Sequence, residues 1–226
     1  MTSKRSYGQY CSLASALDVL GERWTLLVVR ELLFGPQRFG ELLTLLPGIG
    51  PNRLTTRLRD LQSAGVATKD PEGRYALTPF GERLRDPVLG LAVWGLDFLP
   101  DGINSDAARA DTIALGLASV VSADLLGDMN LVCRVDTDRP FTVLVEDGSM
   151  SVTAGGFQRQ PTAVLTAAGT SFIDLAMGRL TVEEAEASGA LVIAGDEKAI
   201  RDLVAVLATT AQRVMAHSDG SSSARV

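Results

Sequence analysis

One histidine and two cysteines among 226 residues remove whole classes of chemistry. A Cys/His metal site has almost no material, and neither a Ser-His-Asp nor a Cys-His nucleophile can be assembled around His217. Cys11 and Cys133 are too few for a disulfide framework and fit a reducing compartment. No run of about 18 apolar residues offers a membrane span, and the opening "MTSKRSYGQY" has no apolar secretion signal. The expectation is therefore a cytoplasmic protein with no catalytic residues, metal site or cofactor.

Positive charge is also short overall, at a net −6, but the shortage is local. Residues 1–100 carry a net +2 and residues 101–226 a net −8. Within 38–85 there are 8 Lys and Arg against 5 Asp and Glu. An acidic protein can thus present a basic surface to a polyanion, and the split suggests two domains.

The basic stretch centres on "GPNRLTTRLRDLQSAG", 50–65. Pro51 suits a first helical position, because its absent N–H has no partner to lose there. Leu54, Leu58 and Leu61 form one apolar stripe, and Gly65 ends the helix in a left-handed cap. The opposite face carries Asn52, Thr56, Arg59 and Ser63, with Arg53 and Thr55 on its flanks. These are donors suited to phosphates and base edges. Arg57 lies nearer the stripe, where an intramolecular ion pair is at least as good a reading. Alone, the cluster also fits an ordinary solvated helix face.

Around it the pattern reads as helices at 11–20 and 22–35, then a short helix in "RFGELLTLLPG" ending at Pro47-Gly48. Two helices joined by a tight Gly-bearing turn make a helix-turn-helix. "VATKD" and "RYALT" flank Pro71-Glu72-Gly73 as a hairpin, or wing, with Lys69 and Arg74 near its tip. Helical pattern resumes in "PFGERLRDPVLGLAVWGLDFL", with more apolar residues than one small domain covers.

In this order, Cys11, "LGERWTLLVVRELLFGPQRFGEL", "LPGIGPNRLTTRLRDLQSAGV", "YALTPFGERL" and "LAVWG" resemble the HxlR-type winged-helix regulators, relatives of the MarR repressors. The wing is shorter than is common there, and Gly50 replaces a frequent Ser, removing a hydroxyl cap. The resemblance implies a homodimeric transcriptional regulator, a repressor, on double-stranded operator DNA of two-fold symmetry. It implies that Asn52, Arg53, Thr55 and Thr56 face bases or nearby phosphates, and that Arg59, Arg38, Lys69 and Arg74 hold phosphates. The dimer is expected to bury Leu13 and Leu17 of the first helix with Leu91 and Trp94, although Trp94 also suits intradomain core. Cys11, at a helix start, is either a redox-sensing thiolate or a small packed residue.

After a polar linker at 101–112, a helix of small residues gives way to period-two strands in "MNLVCRVD", "PFTVLVEDG", "SMSVTAGG" and "PTAVLTAAG". Short helices, the strand "ALVIAGD" and a long closing helix follow. The expected fold class is α+β: a winged helix-turn-helix domain over 1–100 and a second α+β domain over 113–216, then a disordered tail at 217–226. From "PTAVLTAAGTSFIDLAMGRLTVEEAEASGALVIAGDEKAIRDLVAVL", the second domain resembles the sterol-carrier-protein-like fold, which implies an apolar tunnel and a hydrophobic small-molecule effector. Phe141, Phe157, Phe172, Leu175 and Met177 then either line that tunnel or form plain core. A lipid carrier, and a purely structural second domain, are the competing readings.

Overall fold

The computed structural model describes residues 6–95, 98, 108–154 and 159–222, with side chains omitted over 217–222. Phe157, the Gly155-Gly156 turn, Leu96, Leu99, residues 101–107 of the 101–112 linker and the last four residues lie outside that description. The chain divides into two compact units, Met1–Val88 and Leu89–Val226.

The first unit begins with α1 (Ser12–Leu20) and α2 (Thr25–Leu33). A two-residue strand, β1 (Gln37–Arg38), leads into α3 (Phe39–Leu45) and then α4 (Pro51–Ser63). β2 (Ala67–Lys69) and β3 (Arg74–Leu77) form the hairpin, and α5 (Pro79–Glu82) follows. The core is aliphatic: Val28, Leu32, Leu42, Leu54, Leu58, Leu61 and Val66 are buried together, and Val88 closes it. α2 fills the centre because its apolar residues lie on more than one face.

α1 behaves differently. Val19 and Leu20 at its end pack against the core and Ala14 is buried, whereas Leu13 and Leu17 remain 66% and 40% exposed. β1 has no signature in the sequence; it pairs antiparallel with β3, setting Gln37 opposite Tyr75 and Arg38 opposite Arg74. The hairpin is thereby a three-stranded sheet of order β1-β3-β2, attached to the start of α3.

α6 (Arg85–Gly95) crosses the division between the units, which falls after Val88. The second unit continues with α7 (Ala110–Val120) and α8 (Ala123–Leu126), two helices where the composition suggests one. Its sheet contains β4 (Leu131–Asp136), β5 (Phe141–Glu146), β6 (Ser149–Ala154), β7 (Ala163–Ala167) and β8 (Leu191–Gly195). The order is β6-β5-β4-β7-β8, antiparallel except for the parallel central pair β4 and β7. Asp147 and Gly148 both take positive φ, the mirror-image turn that suits a two-residue hairpin between β5 and β6.

Alternation decides the faces of this sheet. Cys133, Val135, Phe141, Val143, Val145 and Leu165 are buried on one side, whereas Arg134, Thr166 and Val192 point out on the other. α9 (Gly169–Ala176), α10 (Val182–Ala187) and α11 (Glu197–Ser222) complete the layer, with α7, α9 and α11 packing on one another. The backbone of α11 continues as helix to Ser222, into the stretch expected to be a disordered tail. The architecture is α+β in both units.

Candidate nucleic-acid interface

α4 forms as its sequence dictates. Pro51 is its first residue, after Gly50 in extended conformation. Gly65 at φ +71° closes the far end, where Val66 N–H donates to Leu61 C=O at 2.9 Å and Gly65 N–H to Gln62 C=O at 3.0 Å. This double closure is the Schellman pattern, which only a residue at ease with positive φ supplies cheaply. With the leucine stripe buried, Asn52, Arg53, Thr55 and Arg59 face solvent and Thr56 is half-buried.

The polar groups of α4 separate into two kinds. The Thr55 and Thr56 hydroxyls donate to the carbonyls of Pro51 and Asn52, each at 2.9 Å, and their oxygens stay available as acceptors. The guanidinium groups of Arg53 and Arg59 have no hydrogen bond or ion pair among the described residues, so their donors are free for an outside anion. Arg57 is committed within the fold. Its Nη2 lies 3.1 Å from Asp60 and its Nη1 3.6 Å from Glu22, and its side chain is only 13% exposed.

The wing presents its cations under restraint. Arg38 donates from Nη1 to the Glu72 carbonyl at 2.9 Å, and its backbone N–H donates to the Glu41 carboxylate. Arg38 thus ties the tip of the hairpin to the start of α3. Lys69 stays exposed with Nζ 5.1 Å from the centre of the Tyr75 ring, a cation–π contact that leaves its charge open to solvent. Arg74 is drawn in by Asp70 at 2.7 Å and Glu72 at 3.6 Å. Partial desolvation pulls the Asp70 pKa up, but hydrogen bonds from the Arg74 backbone and guanidinium outweigh it and hold the carboxyl below its usual value.

Arg53, Arg59 and Lys69 are therefore exposed cations with no hydrogen-bond or ion-pair partner for the side chain among the described residues, and Arg74 is largely neutralised. Glu22 joins the site through the fold alone, because nothing in sequence places position 22 beside position 57. The arrangement offers donors on one helix face with an adjoining basic sheet, which suits a polyanion better than any reacting substrate. No group of His, Cys, Asp and Glu among the described residues could hold a metal ion. No helix among them is long and apolar enough to cross a membrane.

The remaining sites lie elsewhere. Cys11 is exposed immediately before α1, and Leu17, Leu91 and Trp94 are exposed with Leu13. In the second unit Phe141, Phe172, Leu175 and Met177 are buried, and the rings of Phe141 and Phe172 meet edge to face at 5.3 Å. A separate open groove of about 570 Å³ is lined by Leu126, Met129, Val206, Asp128 and Asp202, with none of those four residues.

Residues 19–102 match the family model described as HxlR-like helix-turn-helix. An uncharacterized HTH-type transcriptional regulator of Synechocystis is 35% identical over 98 residues, spanning 41% of this chain and 73% of that protein. One from Mycobacterium tuberculosis is 42% identical over 95 residues, spanning 39% of this chain and 60% of that protein. Among solved structures, the reduced form of the transcriptional regulator YodB from Bacillus subtilis is 29% identical. That match covers 42% of this chain and all of that one, with a TM-score of 0.35. With most of the cyanobacterial relative covered at this identity, the chain belongs to the HxlR-like helix-turn-helix family of transcriptional regulators.

Proposed function

We propose that the protein is a homodimeric repressor that binds a two-fold symmetric operator through α4. The carrying observation is the pair of free guanidinium groups, Arg53 and Arg59, on the solvent face of a helix whose other face is locked into the core. Placed in a major groove, the N-terminal residues Asn52, Arg53, Thr55 and Thr56 reach base edges and nearby phosphates. Arg59, Arg38 and Lys69 hold the backbone, with Arg74 in a lesser role. Selection of bound duplexes from a random-sequence pool, followed by footprinting upstream of the protein's own gene, tests this reading. A selection that enriches no sequence would overturn it.

The dimer is supported by apolar surface left open. Leu13 and Leu17 on α1, and Leu91 and Trp94 on α6, expose large side chains that a partner subunit would cover, with Trp94 61% exposed. Light scattering at micromolar concentration should give twice the chain mass, and a monomer would remove the symmetric operator as well. Cys11, exposed beside Leu13, would in a dimer lie next to that contact and so be placed to report oxidation through it.

The second unit is proposed as a sterol-carrier-like domain for an apolar effector, supported by its helix-covered sheet with an aliphatic and aromatic interior. An effector acts only if it binds the DNA-competent and DNA-incompetent states unequally. Saturation at about 100 times Kd should stabilise the protein by about 2.7 kcal/mol. A panel of fatty acids and drug-like compounds that leaves the melting temperature unmoved would make this domain structural.

A further inference from the structure

We propose that Glu22, acting through Arg57, is a positioning residue that fixes the rotation of α4 about its own axis and thereby its sequence discrimination. The proposal rests on α4 being the DNA-reading helix. Leu54, Leu58 and Leu61 hold α4 in the core and set its rotation by close packing, within the small range that side-chain adjustment allows. The hydroxyls of Thr55, Thr56 and Ser63 bond only to carbonyls of α4 itself. Among the described residues, Arg57 is the polar side chain of α4 that reaches another element, and what it reaches is Glu22 in the turn between α1 and α2.

That turn meets the helix-turn-helix at a second point. Trp24, held at φ +79°, lays its ring against Gly48, 3.6 Å from where a Cβ would stand. The ring buttresses the turn ahead of α4, and the Glu22 carboxylate holds the middle of α4. One contact lies on the turn that leads into α4 and the other on an off-axis side chain of the helix itself, so together they oppose a roll of α4. At the ~5–6 Å radius of a helix with its side chains, a roll of about 10° moves a side-chain tip by about 1 Å. A paired hydrogen bond to a base edge does not tolerate that displacement, whereas a phosphate contact by a long side chain does. With its side chain only 13% exposed, Arg57 is itself poorly placed to meet a phosphate.

The test uses the full-length protein, the duplex most enriched by selection, and a scrambled duplex of equal length. Glu22→Gln should lower the affinity ratio of enriched over scrambled duplex roughly tenfold, the scale of one mismatched base pair. The sign is diagnostic, because loss of a carboxylate near DNA on charge alone tightens binding to both duplexes. Arg57→Gln should lower the ratio equally, the double variant should lose no more, and Arg57→Lys should recover part of the loss. The slope of log K against log salt should stay as in the parent. An unchanged ratio in Glu22→Gln overturns the proposal while leaving DNA binding by α4 intact. So does a salt slope reduced by about one per subunit in Arg57→Gln, which would make Arg57 a phosphate contact. If selection enriches no duplex, the DNA-reading role of α4 falls and this inference with it. Glu22 is largely exposed, so its variant reads the effect even where an Arg57 substitution unfolds the unit.

Discussion

Arg74 and Asp70 close the wing on itself: Nε of the arginine donates to Oδ2 of the aspartate at 2.7 Å, and the Arg74 backbone N–H donates to Oδ1 at 2.7 Å. The cation nearest the hairpin tip is therefore held by its own turn. Asp70→Asn keeps an oxygen to accept from the backbone N–H and releases the guanidinium. Binding to every duplex should tighten, with a salt slope steeper by up to about one per subunit. Unchanged binding would show that Arg74 never reaches DNA.

The same pair sets an acid limit for the wing. Because the Asp70 pKa is lowered in the folded chain, its contribution is present above the ordinary 3.8 and is lost as pH falls through the folded value. A carboxyl titration followed by NMR should place the Asp70 midpoint below 3.8. A midpoint at or above that value contradicts the hydrogen bonds described.

Arg53→Ala and Lys69→Ala should fail in different ways. The first should cost about 1–3 kcal/mol and change the preferred sequence at one position of each half-site. The second should weaken all duplexes alike and flatten the salt dependence. Competition binding with single-base variants of the enriched duplex separates the two behaviours.

Gly81 has no room for a side chain. A Cβ there would stand 2.0 Å from the Val66 carbonyl oxygen, in the network where the Thr78 hydroxyl donates to Gly65 C=O at 2.6 Å and accepts from Gly81 N–H at 3.0 Å. Gly81→Ala should destabilise the first unit by about 3 kcal/mol, since backbone and not a flexible side chain must yield. Urea unfolding followed by Trp24 fluorescence in a Trp94→Phe background would register the shift, and an unshifted midpoint would contradict it.

The two thiols should react at very different rates. Cys133 is buried on the inner face of the sheet, and desolvation pushes its thiol up to about 12, whereas Cys11 is exposed. A thiol reagent at pH 8 should modify one cysteine per chain quickly and the second only on unfolding. In the unfolded chain Cys133 returns to about 9, so the neutral folded thiol stabilises the protein fully below pH 9 and loses that contribution as pH rises towards 12.

Sequence by itself determined the elements with their own local cause. The helix 51–63 was legible because Pro51 starts it, three leucines repeat along it and Gly65 stops it. The strands of the second unit were legible because burial on one face makes Cys133 and Val135 alternate with Arg134. Tertiary structure decided whatever depends on distant partners. β1 is two residues long and exists only because β3 offers it a ladder, so no periodicity could announce it. Arg53, Arg57 and Arg59 look alike in sequence, yet Arg57 is spent inside the fold because Glu22 arrives from a turn thirty-five positions away. Leu13 and Leu17 read from sequence only as apolar residues of a helix, and the structure adds that none of the described residues covers them. Local patterns fix conformation through nearest neighbours along the chain, whereas the availability of a charge or an apolar face is fixed by what else the chain brings beside it.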